Sequence, residues 1–362
     1  DSNILMNLYY YTRVETMRYI LMNANIFATN IKYMNDSEEY ANGLKELYKI
    51  YESHSDGKLV SSEKIEAELE KDIPIYSISF SGARDLLSQW SMYAGESGVS
   101  IKMQFDGTEK YKVYDLISGK RKRLVDGDTS IKPQKVWYCT EEAMNSDDYK
   151  RVTDEIWKEA FLDENDVVKN DTEGNFGDYS RKITPYIKRA EFQAEQEYRI
   201  VFEKSKWRNT KCDFRIDYRN SRNVLKPYLD VFCKNGWPIH EIIIGPGFNQ
   251  KVVFESVRHF LNNAKLSVPT LGNDAYLMRF EEYLELCGTV PKCIKDLYEQ
   301  QKEEIANAPN IHRFFTNIRN SIIEKLKMEN VDNEFLEKIS KTEFTKPGII
   351  LSRSRIPYIF EN

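Results

Sequence analysis

The stretch Glu195–Phe202 carries the residue types that could do acid–base or cation-stabilising chemistry. It reads Glu-Gln-Glu-Tyr-Arg-Ile-Val-Phe, and the aromatic and β-branched residues after Glu197 predict a β-strand. Because side chains alternate along a strand, we expect Glu195, Glu197 and Arg199 on one face. Two carboxylates and a guanidinium at the start of a strand indicate either a chemical site or a solvated, salt-bridged sheet edge.

Two further stretches stand out beside this one. The aromatic run Leu8–Thr12 predicts a strand, followed by Arg13 and a helix for which Thr12 is a plausible N-cap. The alternating run Ile75–Ser81 predicts a second strand, followed by a helix over 85–94. The polar side chains that these two strand–helix pairs could offer a ligand are Tyr10, Thr12, Arg13, Ser79, Ser81, Trp90 and Tyr93. The alternative is that the serines form a wet strand face and that the helical aromatic residues belong to the core.

Composition limits the classes of protein that are compatible with the chain. It has 362 residues, of which 41% are hydrophobic and 30% charged, and its 52 basic and 57 acidic residues give a formal charge of −5. This balance gives no general attraction to nucleic acid. No apolar run approaches the roughly 18 residues of a membrane span, and no basic-then-apolar leader opens the sequence. We therefore expect no membrane association.

The cysteines and histidines argue against a dedicated metal site. The five cysteines are scattered, and no two of them have the spacing of a zinc knuckle. The four histidines are isolated from one another, which disfavours a catalytic triad. We expect reduced thiols in a cytoplasmic protein.

Periodicity along the chain predicts alternating strands and helices, and hence an α+β protein. Further strands are predicted at Gly98–Phe105, at 241–244 and at the end of the chain, with helices near 146–162, 179–192 and 250–263. Residues 273–340 are rich in Glu, Lys and Asn and mainly helical in pattern. We expect a core domain of residues 1–272 plus 341–362 and a helical insertion over 273–340 that contacts a partner protein; a separate C-terminal helical domain is the alternative.

The order of these motifs resembles the bacterial domain of unknown function 2971. The resemblance covers roughly residues 5–265 and the final strand. Its most specific parts are the Asn35-Asp36 turn, the helix and turn with Trp90, Tyr93 and Gly98, and the Glu195-x-Glu197-Tyr-Arg run. Ser37 stands where the family usually has Pro, and the family name supplies no activity.

More distantly, the chain is similar to ADP-ribosyltransferase-like proteins, which begin with a strand of the form Leu-Tyr-His-Gly-Thr. Residues 8–12 match this form with Tyr10 in place of the His, and Glu195-Gln196-Glu197 matches the Glu-x-Glu of many of these enzymes. The resemblance implies a split, mixed β-sheet with surrounding helices. It also implies an NAD glycohydrolase or a transferase of ADP-ribose to a protein or nucleic acid acceptor, and suggests a toxin or phage-defence effector.

The resemblance also implies roles for individual residues. Glu197 would stabilise the oxocarbenium-like cation formed when the nicotinamide–ribose bond breaks, and Glu195 would act as base toward the acceptor. A stacked Trp90 or Tyr93 would hold nicotinamide, and Arg13 would pair with the pyrophosphate. The residues that the resemblance assigns to NAD are Tyr10, Thr12, Arg13, Ser79, Ser81, Trp90, Tyr93 and Arg199. Arg13 leaves open whether the chain lies nearer to the Arg-Ser-Glu class of these enzymes.

Two other functions stay open at this stage. A metal-dependent nuclease would bind Mg²⁺ through Asp36, Glu39 and Glu195 or Glu197. A non-catalytic sensing or adaptor module would need no cleft, and would show an exposed apolar stripe on the 273–340 helices. The basic and aromatic residues around 204–219 would suit a nucleic-acid acceptor, although a solvated hairpin explains them as well.

Overall fold

A computed structural model describes residues 5–34, 38–54, 67, 69, 73–95, 98–117, 120–126, 131–141, 144–165, 167, 180–204, 216–221, 223–269, 271, 273–292, 294–296, 298–299, 311–329 and 333–356. Over these residues the protein is mixed α+β, as the sequence predicts. The chain divides into two compact units. The first comprises Asp1–Ala24, Arg84–Asp106 and Asn235–Asn362, and the second comprises Asn25–Ala83 and Gly107–Lys234.

The strands, in chain order, are β1 (Met6–Arg13), β2 (Asn25–Asn30), β3 (Ile75–Ser81), β4 (Gly98–Phe105), β5 (Tyr111–Ile117), β6 (Lys120–Asp126), β7 (Gln134–Lys135), β8 (Trp137–Tyr138), β9 (Ile187–Lys188), β10 (Glu197–Glu203), β11 (Asp217–Ser221), β12 (Val224–Cys233), β13 (Ile239–Ile244), β14 (Glu343–Phe344) and β15 (Ile350–Arg353). The longer helices are α1 (Val14–Asn23), α2 (Glu39–His54), α3 (Ser146–Phe161), α4 (Gln250–Asn263), α5 (Asn273–Leu286), α6 (Ile311–Glu329) and α7 (Asn333–Lys341). Short helical turns occupy Ile31–Tyr33, Leu87–Gln89, Trp90–Ala94, Thr184–Tyr186 and Ala190–Glu195.

The first unit contains a mixed sheet in the order β14-β15-β13-β4-β1. β13 and β15 run parallel, and the other neighbours are antiparallel. Both faces of β13 are buried, which explains its run of isoleucines. Helices α5–α7 pack on β14 and β15 through an aromatic core that includes Phe280, Tyr283, Phe315 and Phe344. The proposed limits of the helical insertion, 273–340, stay a prediction.

The second unit contains an antiparallel set of strands. β12 pairs with β2, β5 and β11, β2 pairs with β3, and β3 pairs with β10. A separate two-stranded parallel sheet joins β8 to β9. Helices α2 and α3 share a core with this small sheet, because Leu44, Leu47, Ile156 and Ile187 are buried together.

Several sequence predictions are corrected here. The segment 179–192 is not one helix. A 3₁₀ turn occupies Thr184–Tyr186, and β9 follows it directly at Ile187–Lys188. The predicted helix over 85–94 is a short α-helical turn continued by a π-helical turn, which ends at Gly95 with a φ of 63°. The sequence pattern does not predict strands β5, β6 and β12, which the structure contains. The Asn35-Asp36 turn and the basic segment 205–215 lie outside the described residues.

Candidate functional site

Five charged side chains of the second unit meet in one place, which we call the charge cluster: Glu39, Lys188, Glu195, Glu197 and Arg199. They come from the first turn of α2, from β9, from the 3₁₀ turn before β10, and from β10 itself. All five are buried, with exposed fractions between 1% for Arg199 and 8% for Lys188 and Glu195. Buried charges are tolerated when they are paired and hydrogen-bonded, and here three carboxylates face two cations.

The guanidinium of Arg199 is held on several sides. Its Nε donates to Glu197 Oε1 at 2.7 Å and its Nη2 donates to Glu197 Oε2 at 3.0 Å, so the pair is bidentate. Nη2 also donates to Glu39 Oε1, and Nη1 donates to the Pro185 carbonyl at 2.6 Å. In this arrangement Arg199 orients Glu197, and its predicted contact with NAD stays a prediction.

Lys188 joins the two carboxylates that the sequence singled out. Its Nζ donates to Glu195 Oε2 at 2.8 Å and to Glu197 Oε2 at 2.9 Å, and it lies 3.4 Å from Glu39 Oε2. The ammonium also lies 5.0 Å from the centre of the Phe192 ring. Sequence reasoning missed Lys188, because it stands in a segment whose pattern predicts a helix and no motif marks it.

The two glutamates have pKa values that are displaced in opposite directions. Burial would raise the pKa of Glu197, but Arg199 and Lys188 outweigh burial and lower it to about 2. Burial raises the pKa of Glu195, and Lys188 opposes this only in part. Glu197 is therefore a firmly ionised carboxylate beside a carboxyl group that takes up a proton more readily, a combination typical of acid–base sites.

The local backbone differs from the predicted strand. β10 begins at Glu197, whereas Glu195 ends a 3₁₀ turn and Gln196 adopts a left-handed conformation with a φ of 47°. The expectation that Glu195 and Glu197 share a strand face is thus wrong, and Lys188 brings them together instead. The amide of Glu197 donates to the hydroxyl of Tyr138 at 2.6 Å, which anchors the start of the strand.

The serines of β3 lie alongside β10. Ser81 pairs in register with Glu197, and Ser79 pairs with Arg199. Ser81 is buried, and its hydroxyl donates to the Glu195 carbonyl at 2.7 Å and accepts from the Ala83 amide at 3.0 Å. Ser81 therefore fixes the turn that carries Glu195, and a contact of either serine with NAD stays a prediction.

The remaining predicted site residues belong to the first unit. Tyr10 is half-buried on β1, Thr12 is buried, and Arg13 is exposed. Thr12 is not the N-cap of α1, because the cap residue is Arg13 and no side chain caps the helix. The roles of these three residues toward NAD stay predictions.

Trp90 is a core residue of the first unit. It is 3% exposed and packs edge-on against Tyr11, with ring centres 4.8 Å apart. Its indole nitrogen donates to Asp85 Oδ1 at 2.7 Å. Tyr93 packs against the same buried cluster and is half-buried. The predicted stacking of either ring on nicotinamide stays a prediction.

The carboxylates of the nuclease alternative converge only in part. Glu39, Glu195 and Glu197 do approach one another, but Lys188 and Arg199 supply the positive charge between them. Asp36 lies outside the described residues. In the part of the chain that the structure describes, no group of three or more His, Cys, Asp or Glu side chains is arranged to hold a metal ion.

A cavity of about 400 Å³ lies next to the charge cluster in the second unit. α2 forms one wall, and residues 139–140 and 187–189 contribute to the others. Lys188 is the residue that the cavity and the cluster share.

The adaptor alternative predicts an exposed apolar stripe on the helices of 273–340. Large apolar side chains exposed on the described parts of these helices are Met278 and Met328, which lie on different helices. No helix within the described ranges is long and apolar enough to cross a membrane.

Comparison with known proteins adds no relative: no protein family, no curated protein and no solved structure matches this chain.

Proposed function

We propose that the chain is an ADP-ribosyltransferase-like enzyme that cleaves the nicotinamide–ribose bond of NAD and transfers ADP-ribose to a macromolecule or to water. The observation that carries the proposal is the pair Glu195 and Glu197, which share one lysine ammonium while their pKa values are displaced in opposite directions. The ADP-ribosyltransferase-like form of the fold is part of the same proposal.

The two carboxylates suit the two halves of such a reaction. Nicotinamide leaves as a neutral molecule with the bonding electron pair, and the ribose is left with a positive charge that the ionised Glu197 stabilises. An acceptor hydroxyl or water then bonds to the ribose carbon and gives its proton to Glu195. Glu197 is held in place for this role by the bidentate Arg199.

The contacts also set a condition on the reaction. Both oxygens of Glu197 are hydrogen-bonded, and the side chain is buried. Arg199 is the more deeply buried partner of Glu197, so Lys188 is the partner that a ribose displaces from Oε2 in this proposal.

The test is nicotinamide release from NAD, together with transfer of labelled ADP-ribose to a pool of protein and nucleic acid. Wild-type protein should release nicotinamide, and Glu195→Gln should lower the rate of ADP-ribose transfer by about 100-fold or more because it removes the base that takes the acceptor's proton. Glu197→Gln should abolish release. Glu203→Gln, at the other end of the same strand, is the matched control and should keep the wild-type rate.

Glu195→Gln makes this test independent of folding defects, since Glu195 carries a charge that burial disfavours and the variant should fold at neutral pH. Absence of nicotinamide release from wild-type protein, or full activity in both Glu195→Gln and Glu197→Gln, would refute the proposal.

A further inference from the structure

The cavity beside the charge cluster is lined by more basic than acidic side chains. Its basic side chains are Lys45, Lys49, Lys188 and Arg189, and its acidic ones are Glu46 and Glu191. The charge of Lys188 is already shared by the carboxylates of the charge cluster, so the cations that favour an anionic occupant are Lys45, Lys49 and Arg189. The volume of about 400 Å³ lies in the range of small-molecule sites.

The cations approach the cavity from two sides. Lys45 and Lys49 are one helical turn apart on α2, so their side chains lie on the same face. Lys188 and Arg189 come from β9 and the residue after it, on the opposing wall. Gly43 lets α2 approach this wall, because a Cβ at that position would lie 3.1 Å from the carbonyl oxygens of Thr184 and Ile187.

The acidic lining residues are already engaged by protein groups. Glu191 accepts from Arg189 Nη2 at 2.8 Å, and both side chains are close to half exposed. Glu46 accepts from the Tyr149 hydroxyl at 2.6 Å and lies 3.4 Å from Lys49 Nζ. The Arg189–Glu191 pair is solvent-exposed and therefore weak, so Arg189 can turn toward a multiply charged anion at little cost. The Lys49 side chain is itself close to half exposed, but Glu46 is buried and Glu141 lies 3.6 Å from the ammonium, so Lys49 turns toward an anion by leaving these two carboxylates.

We propose that this cavity binds the pyrophosphate group of a nucleotide ligand through Lys45, Lys49, Lys188 and Arg189. Ammonium and guanidinium groups on two facing walls match the oxygens on both phosphates. The resemblance to ADP-ribosyltransferase-like proteins assigns the pyrophosphate to Arg13, which belongs to the first unit.

The same site connects pyrophosphate binding to the contacts of Glu195 and Glu197. Lys188 is the link, because its Nζ bridges Glu195 and Glu197 while its side chain lines the cavity. A pyrophosphate oxygen that takes a share of this ammonium loosens its contacts with the two glutamates. This coupling rests on the proposed function, in which Lys188 releases Glu197, whereas pyrophosphate binding itself does not.

The test is calorimetric titration of the full chain with inorganic pyrophosphate. Wild-type protein should show saturable binding, and the double variant Lys45→Gln/Lys49→Gln should weaken it by about tenfold or more. Both lysines are exposed, so the variant should fold. The charge-matched control is Lys150→Gln/Lys158→Gln on α3, where both lysines are also exposed, and it should bind like the wild type.

The possible outcomes test the pyrophosphate site independently of the proposed function. Saturable binding that is weakened only by Lys45→Gln/Lys49→Gln supports the site, even if NAD is not cleaved. Absence of saturable binding, or equal weakening by the control variant, overturns it, even if NAD is cleaved and Glu195→Gln is inactive. If both proposals hold, Lys45→Gln/Lys49→Gln should raise the KM for NAD with a smaller effect on kcat.

Discussion

Replacement of Arg199 by Met tests whether the charge cluster holds the second unit together. The substitution keeps much of the side-chain volume and removes the guanidinium. In the structure this group donates two hydrogen bonds to Glu197, one to Glu39 and one to the Pro185 carbonyl. Without it, three buried carboxylates face only Lys188.

The expected loss of folding stability follows from the buried carboxylates that remain without the guanidinium. Removal of one partner from a buried ion pair typically costs about 3–5 kcal/mol, because the remaining charge has no compensation. Arg199 is 1% exposed, so water cannot replace it without rearrangement. A loss of this size is a large share of the roughly 5–15 kcal/mol by which folded proteins are stable.

The assay is urea unfolding at pH 7, followed by circular dichroism. Arg151→Met is the matched control: Arg151 lies 3.4 Å from Asp148 and 3.8 Å from Glu155 on the surface of α3, and exposed pairs contribute about 0–1 kcal/mol. Adding Glu197→Gln to Arg199→Met should recover part of the loss, because one uncompensated charge disappears. If Arg199→Met were as stable as Arg151→Met, the cluster would not carry the stability that its burial implies.

Three further outcomes are expected. The folded pKa of Glu197, about 2, lies below the ordinary value of 4.5, so its charge stabilises the fold above about pH 4.5 and this contribution is lost as the pH falls through about 2. Acid unfolding measured by circular dichroism should therefore be less steep over this range in Glu197→Gln than in wild-type protein, and equal slopes would contradict the assignment. The folded pKa of Glu195 is raised, so its charge opposes folding at neutral pH. Glu195→Gln should be at least as stable as wild type at pH 7, with the difference shrinking as the pH falls toward that pKa; a clear loss of stability would count against it. A Cβ at Gly245 would lie 2.8 Å from two ring carbons of Trp90, so Gly245→Ala should cost about 1–3 kcal/mol by overpacking and alter the near-ultraviolet spectrum of the indole. An unchanged spectrum and melting temperature would show that the ring is not confined.

Much of the fold could be predicted where the local pattern and the final environment agree. β3, β4 and β13 and helices α1 and α4 have the hydrophobic spacing of their element, and they occur close to the predicted positions. The prediction failed for β12, whose sequence includes Lys226, Pro227 and Asp230. Its strand conformation comes from pairing with β2, β5 and β11, contacts that no window of sequence contains.

The sequence by itself determined that the chain is α+β and that Glu195, Glu197 and Arg199 carry the most distinctive chemistry. The tertiary structure decided which contacts these residues make and how their pKa values are displaced. The left-handed Gln196 removes Glu195 from the strand, and Lys188 and Glu39 arrive from β9 and α2 to complete the cluster. The displaced pKa values of the two glutamates arise from burial and from these distant charges, because such interactions depend on distance in space and not on separation along the chain.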